Sequence, residues 1–135
     1  MTVLNPYISF RDNAREALEF YHGVLGGSLD LMPFSSMPDM GHDPSENDLI
    51  MHGQLTTDDG LVLMASDTPS NMEFAAPQGI SVSLSGDDGA HLHALWDGLA
   101  DGATITMPLA PAPWGGEFGM LNDRFGVSWM VSVNG

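Results

Sequence analysis

The chain contains one unit written twice. The segment from Asp12 to Pro33, moved forward by 75 positions, falls without a gap on Asp87 to Pro108, so that Phe20-Tyr21 meets Leu95-Trp96, Gly23 meets Gly98 and Gly27 meets Gly102. A second stretch, Gly53 to Ser66, falls on Gly119 to Ser132 at a shift of 66 and matches Leu55 to Leu121, Gly60 to Gly126 and Met64 to Met130. The nine-residue difference between the shifts is the extra length of the loop from Phe34 to Asp48. Two copies are too few for a solenoid, whose units need stacked neighbours to bury their faces. They point instead to a duplicated module whose halves build one shared cavity.

Each copy reads as strand, helix and three strands. Leu4 to Phe10 alternates apolar and polar residues and closes at Arg11-Asp12-Asn13, where Asp12 or Asn13 is placed to cap a helix. Ala17, Phe20, Tyr21 and Val24 then recur at i, i+3, i+4 and i+7, and their partners Leu92, Leu95, Trp96 and Leu99 repeat the stripe, which is expected to be core in both copies. Gly26-Gly27 and Asp101-Gly102 stop the helices. Ser28 to Met32 and Ala103 to Met107 leave as strands that Pro33 and Pro108 are expected to end. Leu49 to Thr57 and Leu61 to Ser66 form a hairpin about Asp58-Asp59-Gly60, and Gly116 to Asn122 and Val127 to Val133 form its counterpart about Asp123 to Gly126. Ile80 to Ser85 opens the second copy, matching Ile8 to Val82 and Phe10 to Leu84 at a shift of 74. The predicted architecture is α+β: two tandem βαβββ modules, about 1–70 and about 78–135, forming one domain. They are expected to make a curved eight-stranded half-barrel cup with helices outside.

Strand parity predicts the lining of that cup. With Ile8, Phe10, Val82, Leu84, Gly53 and Leu55 turned to the helices, the other faces carry Tyr7, His52, Gln54, Met64, Ser81, Phe118, Met120 and Met130. Trp114, in the proline-stiffened run Pro108 to Gly115, is either an aromatic lid beside this face or a residue sealing a core edge. These nine residues are the candidate ligand-binding set. His52 is either a hydrogen-bond donor, acid or base toward a ligand, or a structural histidine bonded to a neighbouring strand. The methionines supply an adaptable apolar lining.

Composition narrows the partners. Eighteen acidic residues stand against three arginines and no lysine, a formal net charge of -15. Such a surface repels phosphate backbones and anionic lipids, so neither nucleic acid nor membrane is expected as a partner. The acidity either attracts a cationic ligand or serves solubility. The 135 residues suffice for one domain without a separate cofactor domain, and the absence of cysteine excludes thiolate chemistry. The first residues, Met1 to Pro6, have no secretory pattern, and no run approaches the roughly 20 apolar residues of a membrane span, so the expected location is cytoplasmic.

The phrases Ala17-Leu18-Glu19-Phe20-Tyr21, Met51-His52-Gly53-Gln54-Leu55 and Asp123-Arg124-Phe125-Gly126-Val127-Ser128-Trp129-Met130-Val131, set in this duplicated unit, resemble the vicinal oxygen chelate superfamily. This is the glyoxalase, bleomycin-resistance and dioxygenase group, and the last phrase is most similar to its PhnB-like subgroup. The resemblance implies a homodimer and a small-molecule ligand. In metal-using members it also implies His or Glu on the first and last strands of each half. The matching positions here are Asn5 or Tyr7, Met64, Gly79 or Ser81, and Met130, none of them a competent ligand for Ni, Zn, Mn or Fe. The expectation is therefore a binding protein with no metal and no cofactor, and catalysis is left open. The alternative is a metal-dependent lyase, isomerase or dioxygenase.

Other motifs add little. His91 and His93 stand at i, i+2 and cannot chelate from one helical face, so they are expected to be solvated; His22 is on the first helix. His42, Asp43, Glu46 and Asp48 in the long loop are a candidate cation cluster or a solvent-facing charged loop. Gly23, Gly26-Gly27 and Gly115-Gly116 do not follow a strand and open a helix, so no dinucleotide, phosphate or methyltransferase cofactor loop is recognisable.

Overall fold

A computed structural model of the chain describes residues 2–36 and 42–135; the part of the predicted Phe34 to Asp48 loop at 37–41 lies outside the described residues. The chain divides into two compact units, Met1–Ala76 and Pro77–Gly135. The first runs β1 (Tyr7–Phe10), α1 (Ala14–Leu25), β2 (Ser28–Pro33), β3 (Ile50–Thr56), β4 (Val62–Asp67), with two short 3₁₀ turns between β2 and β3. The second runs β5 (Ser81–Gly86), α2 (Gly89–Ala100), β6 (Thr104–Pro111), β7 (Glu117–Asn122), β8 (Ser128–Val133). Both helices keep the 75-residue shift at each end, and β4 and β8 keep the 66-residue shift at each end.

Each unit is one four-stranded sheet with a helix on one face, in the order β1-β4-β3-β2 and β5-β8-β7-β6. The outer pairs β1–β4 and β5–β8 are parallel and the remaining neighbours antiparallel. Parallel partners need a long crossover, and the helix and hairpin between them supply it. The hairpin turns are duplicated down to their bonds. Gly60 and Gly126, both at φ 85, close turns in which Leu61 N donates to Thr57 Oγ1 and Val127 N to Asp123 Oδ1.

The helical stripe differs between the copies. Leu92, Leu95, Trp96 and Leu99 are buried on α2 as the spacing predicts. On α1, however, the buried set is Ala14, Ala17, Leu18 and Tyr21, with Phe20 and Val24 only half-buried. The cause lies in two equivalent glycines on the sheet. A Cβ at Gly53 would overlap Leu18 Cδ1, whereas one at Gly119 would press on the ring end of Trp96 and on the Leu109 backbone. Each helix drops a different side chain into the same gap, Leu18 in one unit and Trp96 in the other, and α1 is turned accordingly.

Three further expectations are corrected. Neither Asp12 nor Asn13 caps α1. Asn13 makes no capping bond, and the Ala14 N–H instead donates to Asp67 Oδ1 at 2.9 Å, from a carboxylate 3% exposed at the end of β4. Asp67 Oδ2 also accepts from Ile50 N at 2.8 Å, so one buried group joins the starts of α1 and β3. Pro108 does not end its strand; β6 continues to Pro111, with register shifts between Ile105 and Met107 and between Met107 and Ala110. As an edge strand with irregular pairing, β6 has no ladder bond for a proline to break there. Finally, β1 begins only at Tyr7, and Leu4 is 99% exposed.

Candidate functional site

The first unit collects four of the predicted residues on the face away from α1. Along β3 burial falls on Gly53 and Leu55, which leaves His52, Gln54 and Thr56 on the opposite face. On β4 Leu63 and Ala65 are buried and Met64 faces the other way. Tyr7 is the register partner of Met64 across β1–β4, and Met64 the partner of Gln54 across β3–β4. Tyr7, Met64 and Gln54 thus form one row, with His52 two residues along. The Tyr7 hydroxyl reaches across β4 to His52 Nδ1 at 2.9 Å, and the two rings lie 5.5 Å apart at 41°. Gln54 Nε2 donates to Thr56 Oγ1 at 3.3 Å.

Two residues of this face were not anticipated. Asp30 is opposite Gln54 on the edge strand β2, and Met32 is opposite His52. Both are exposed, and between and before them Leu29 and Leu31 turn inward. The same parity that selected His52 and Gln54 would have found them had it been carried to the edge strand. Asp30 adds a carboxylate beside the polar row.

The second unit carries a different surface. Met130 pairs with Met120 across β7–β8, and Met120 with Met107 across β6–β7, giving a row of three thioethers. Phe118 lies one pleat along the same face, and Trp114, 71% exposed, meets it edge-on at 5.7 Å. Trp114 therefore does not seal a core. Ser81 is not beside Met130: its partner is Ser128, and Ser83 stands opposite Met130. The 74-residue match of β1 to β5 is thus two residues short of the register relation. A slip of two keeps every side chain on its predicted face, which is why parity survived it.

The polar loop groups are engaged within the chain. Asp43 Oδ1 accepts from Ser45 N and Oγ, Glu46 accepts from Ser70 N and Oγ, and His42 Nε2 donates to Asn47 Oδ1. Among the described residues no three His, Asp or Glu side chains gather as a metal centre. His93 is not simply solvated, since its Nε2 meets Glu117 Oε2 at 2.6 Å, joining α2 to β7. His22 Nε2 lies 2.9 Å from Gly27 O at the end of α1. All three arginines are likewise taken up: Arg11 by the carbonyls of Pro69 and Met72 and the ring of Phe74, Arg15 by the Asp48 carbonyl, Arg124 by the carbonyl and carboxylate of Asp101.

A hard divalent ion does not fit the open face of the first unit. The face offers one imidazole, whose Nδ1 is already bonded to Tyr7, together with a thioether, an amide and the Asp30 carboxylate at its edge. Thioethers suit soft Cu(I), and one imidazole, one carboxamide and the single Asp30 carboxylate on the edge strand fall short of the ligand set that such an ion takes.

Comparison with known proteins places these observations. The family model described as 3-demethylubiquinone-9 3-methyltransferase matches residues 2–132. The chain is similar to protein PA1353 from Pseudomonas aeruginosa, at 38% identity and a TM-score of 0.86 over 99% of this chain and 98% of that one. It is also similar to a putative 3-demethylubiquinone-9 3-methyltransferase, PhnB protein, from Bacillus cereus, at 24% identity and a TM-score of 0.74 over 98% and 99% of the two chains. A glyoxylase/bleomycin resistance protein/dioxygenase domain from Frankia sp. EAN1pec shares the fold at 16% identity and a TM-score of 0.67, over 100% and 98%. Duplicated βαβββ units and a match across almost the whole chain lead to one conclusion: the chain belongs to the family described as 3-demethylubiquinone-9 3-methyltransferase, and it shares its fold with a glyoxylase/bleomycin resistance protein/dioxygenase domain.

Proposed function

We propose that the protein binds a small, partly apolar organic molecule on the open face of its first unit, without the divalent ion used by many members of its superfamily. The observation that carries this reading is the Tyr7–His52 bond across β4, which holds two polar aromatic side chains on a surface also bearing Met64 and Gln54. Ligand sites combine apolar walls with a few convergent polar groups in this way. The methionine row with Phe118 and Trp114 is a second apolar surface suited to the same class of ligand.

Charge restricts the ligand further. With a net charge of -15 and every arginine engaged by the chain itself, there is no evident cation to receive a carboxylate or phosphate, whereas Asp30 borders the polar row. A neutral or cationic molecule fits. Methyl transfer finds little support in the residues, because the strand-to-helix junctions, Arg11-Asp12-Asn13 and Gly86-Asp87-Asp88-Gly89, do not carry the G-x-G-x-x-G pattern that lets a backbone approach a nucleotide cofactor. The reading includes a homodimer, which the superfamily resemblance implies, in the cytoplasm. Among the described residues no helix is long and apolar enough to cross a membrane.

Native mass spectrometry of protein purified from its own host, with metal analysis of the same sample, tests this reading. A retained organic molecule and less than about one-tenth equivalent of divalent metal is the expected result. A stoichiometric divalent ion that survives dialysis would contradict it.

A further inference from the structure

The Tyr7–His52 pair determines which proton His52 offers. A neutral imidazole carries one N–H and one bare nitrogen, and the hydrogen bond made by one nitrogen decides the state of the other. Tyr7 Oη lies 2.9 Å from Nδ1, the ring nitrogen through which His52 is bonded to the sheet. A phenol O–H is a better donor than a neutral imidazole N–H, and a phenolic oxygen a poorer acceptor than a bare imidazole nitrogen. Tyr7 therefore donates, Nδ1 accepts, and the proton resides on Nε2. The neighbouring rings, 5.5 Å apart, and the pairing of Tyr7 with Met64 hold the phenol at this place on the sheet.

From this geometry we infer that Tyr7 is a positioning residue that locks His52 in the Nε2–H form, so that the face selects ligands by an uncharged acceptor oxygen such as a carbonyl. The inference rests on the ligand site proposed above and narrows its chemistry. One of the two Gln54 amide N–H groups is directed to Thr56. Asp30 accepts and cannot donate when ionised, so it is suited to a cationic or N–H-bearing part of the same molecule. The ligand class is then a carbonyl compound, neutral or with a cationic group, whose apolar body lies on Met64.

The test has two readouts on the intact protein. Long-range ¹H–¹⁵N NMR of the imidazole reports the tautomer of His52 without any ligand, in the wild type and in Tyr7→Phe, a change at a half-exposed side chain. The wild type should be Nε2–H, and Tyr7→Phe should become a mixture of tautomers. Acetophenone and isopropylbenzene, similar in shape but differing in the carbonyl, are then titrated while the Met64 methyl signal is followed. Acetophenone should bind up to about tenfold more tightly than isopropylbenzene, and that preference should shrink in Tyr7→Phe. An Nδ1–H tautomer in the wild type, or equal response to the two probes, overturns this inference and leaves the ligand site standing. No response of Met64 to either probe overturns the ligand site as well.

Discussion

Asp67 is a buried carboxylate that ties the start of α1 to the start of β3 in the first unit. Its two carboxylate oxygens accept from Ala14 N at 2.9 Å and Ile50 N at 2.8 Å, and both donor residues are 0% exposed. Hydrogen bonds to a charged group contribute about 1.5–3 kcal/mol each, and a buried N–H left without a partner costs about 1–3 kcal/mol. Asp67→Ala strands both amides, so the expected loss is about 3–5 kcal/mol, a large part of the about 5–15 kcal/mol of a typical domain. Asp67→Asn keeps one acceptor and turns an NH₂ toward the other amide, for a loss of about 1.5–3 kcal/mol. Asn13→Ala, where sequence spacing alone would place the cap and a cost of about 1 kcal/mol, should change stability by less than about 0.5 kcal/mol. Urea unfolding followed by far-UV circular dichroism measures these values. Tryptophan fluorescence is the wrong probe, because Trp96, Trp114 and Trp129 all lie in the second unit. Hydrogen exchange at the Ala14 and Ile50 amides gives a local readout. If Asp67→Ala stays within about 1 kcal/mol of the wild type while Asn13→Ala loses as much or more, the assignment of the cap is wrong.

Two other outcomes follow from the electrostatics. The Asp43 carboxyl is held below its ordinary value of 3.8, first by the Ser45 backbone N–H and next by the Ser45 hydroxyl, with a smaller pull from His42 and an opposing effect of burial. Because its folded value is depressed, its contribution to the loop is present above pH 3.8 and is lost as the pH falls through the folded value. An NMR pH titration of the Ser45 amide should therefore show a midpoint below 3.8, and a midpoint at or above it would count against the bond. The proposed dimer confines two chains of charge -15, so it should dissociate below about 10 mM ionic strength, where the Debye length reaches roughly 30 Å. Light scattering that finds a monomer at every salt concentration removes the dimer.

Much of the fold was legible because repetition and parity are local signals. The helix ends and the last strands follow from the shifts of 75 and 66, and alternation put Tyr7, His52, Gln54 and Met64 on one face. What was hidden depends on partners distant in sequence. The true cap of α1 is 53 residues away, and nothing near Asn13 announces it. The turn of α1 toward Leu18 is set by a gap at Gly53, on another strand. Pro108 reads as a strand end until β6 is known to be an edge with irregular pairing. At the site, parity could choose a face but not a bond. The Tyr7–His52 contact spans 45 residues, and the His93–Glu117 pair 24.

The ligand-binding role of the Tyr7–His52 face is tested most directly by measuring melting temperature and affinity on one variant, His52→Ala. The ligand is the molecule retained in native mass spectrometry or, if none is retained, acetophenone. His52 is only half-buried and its side chain is bonded to Tyr7, itself half-exposed, so the fold should survive with little change in melting temperature. Affinity should fall by about 1–3 kcal/mol, the cost of leaving the buried acceptor of the ligand without its donor. The opposite pattern, a lowered melting temperature with affinity unchanged in the folded fraction, would mean that His52 holds the sheet together and does not contact a ligand.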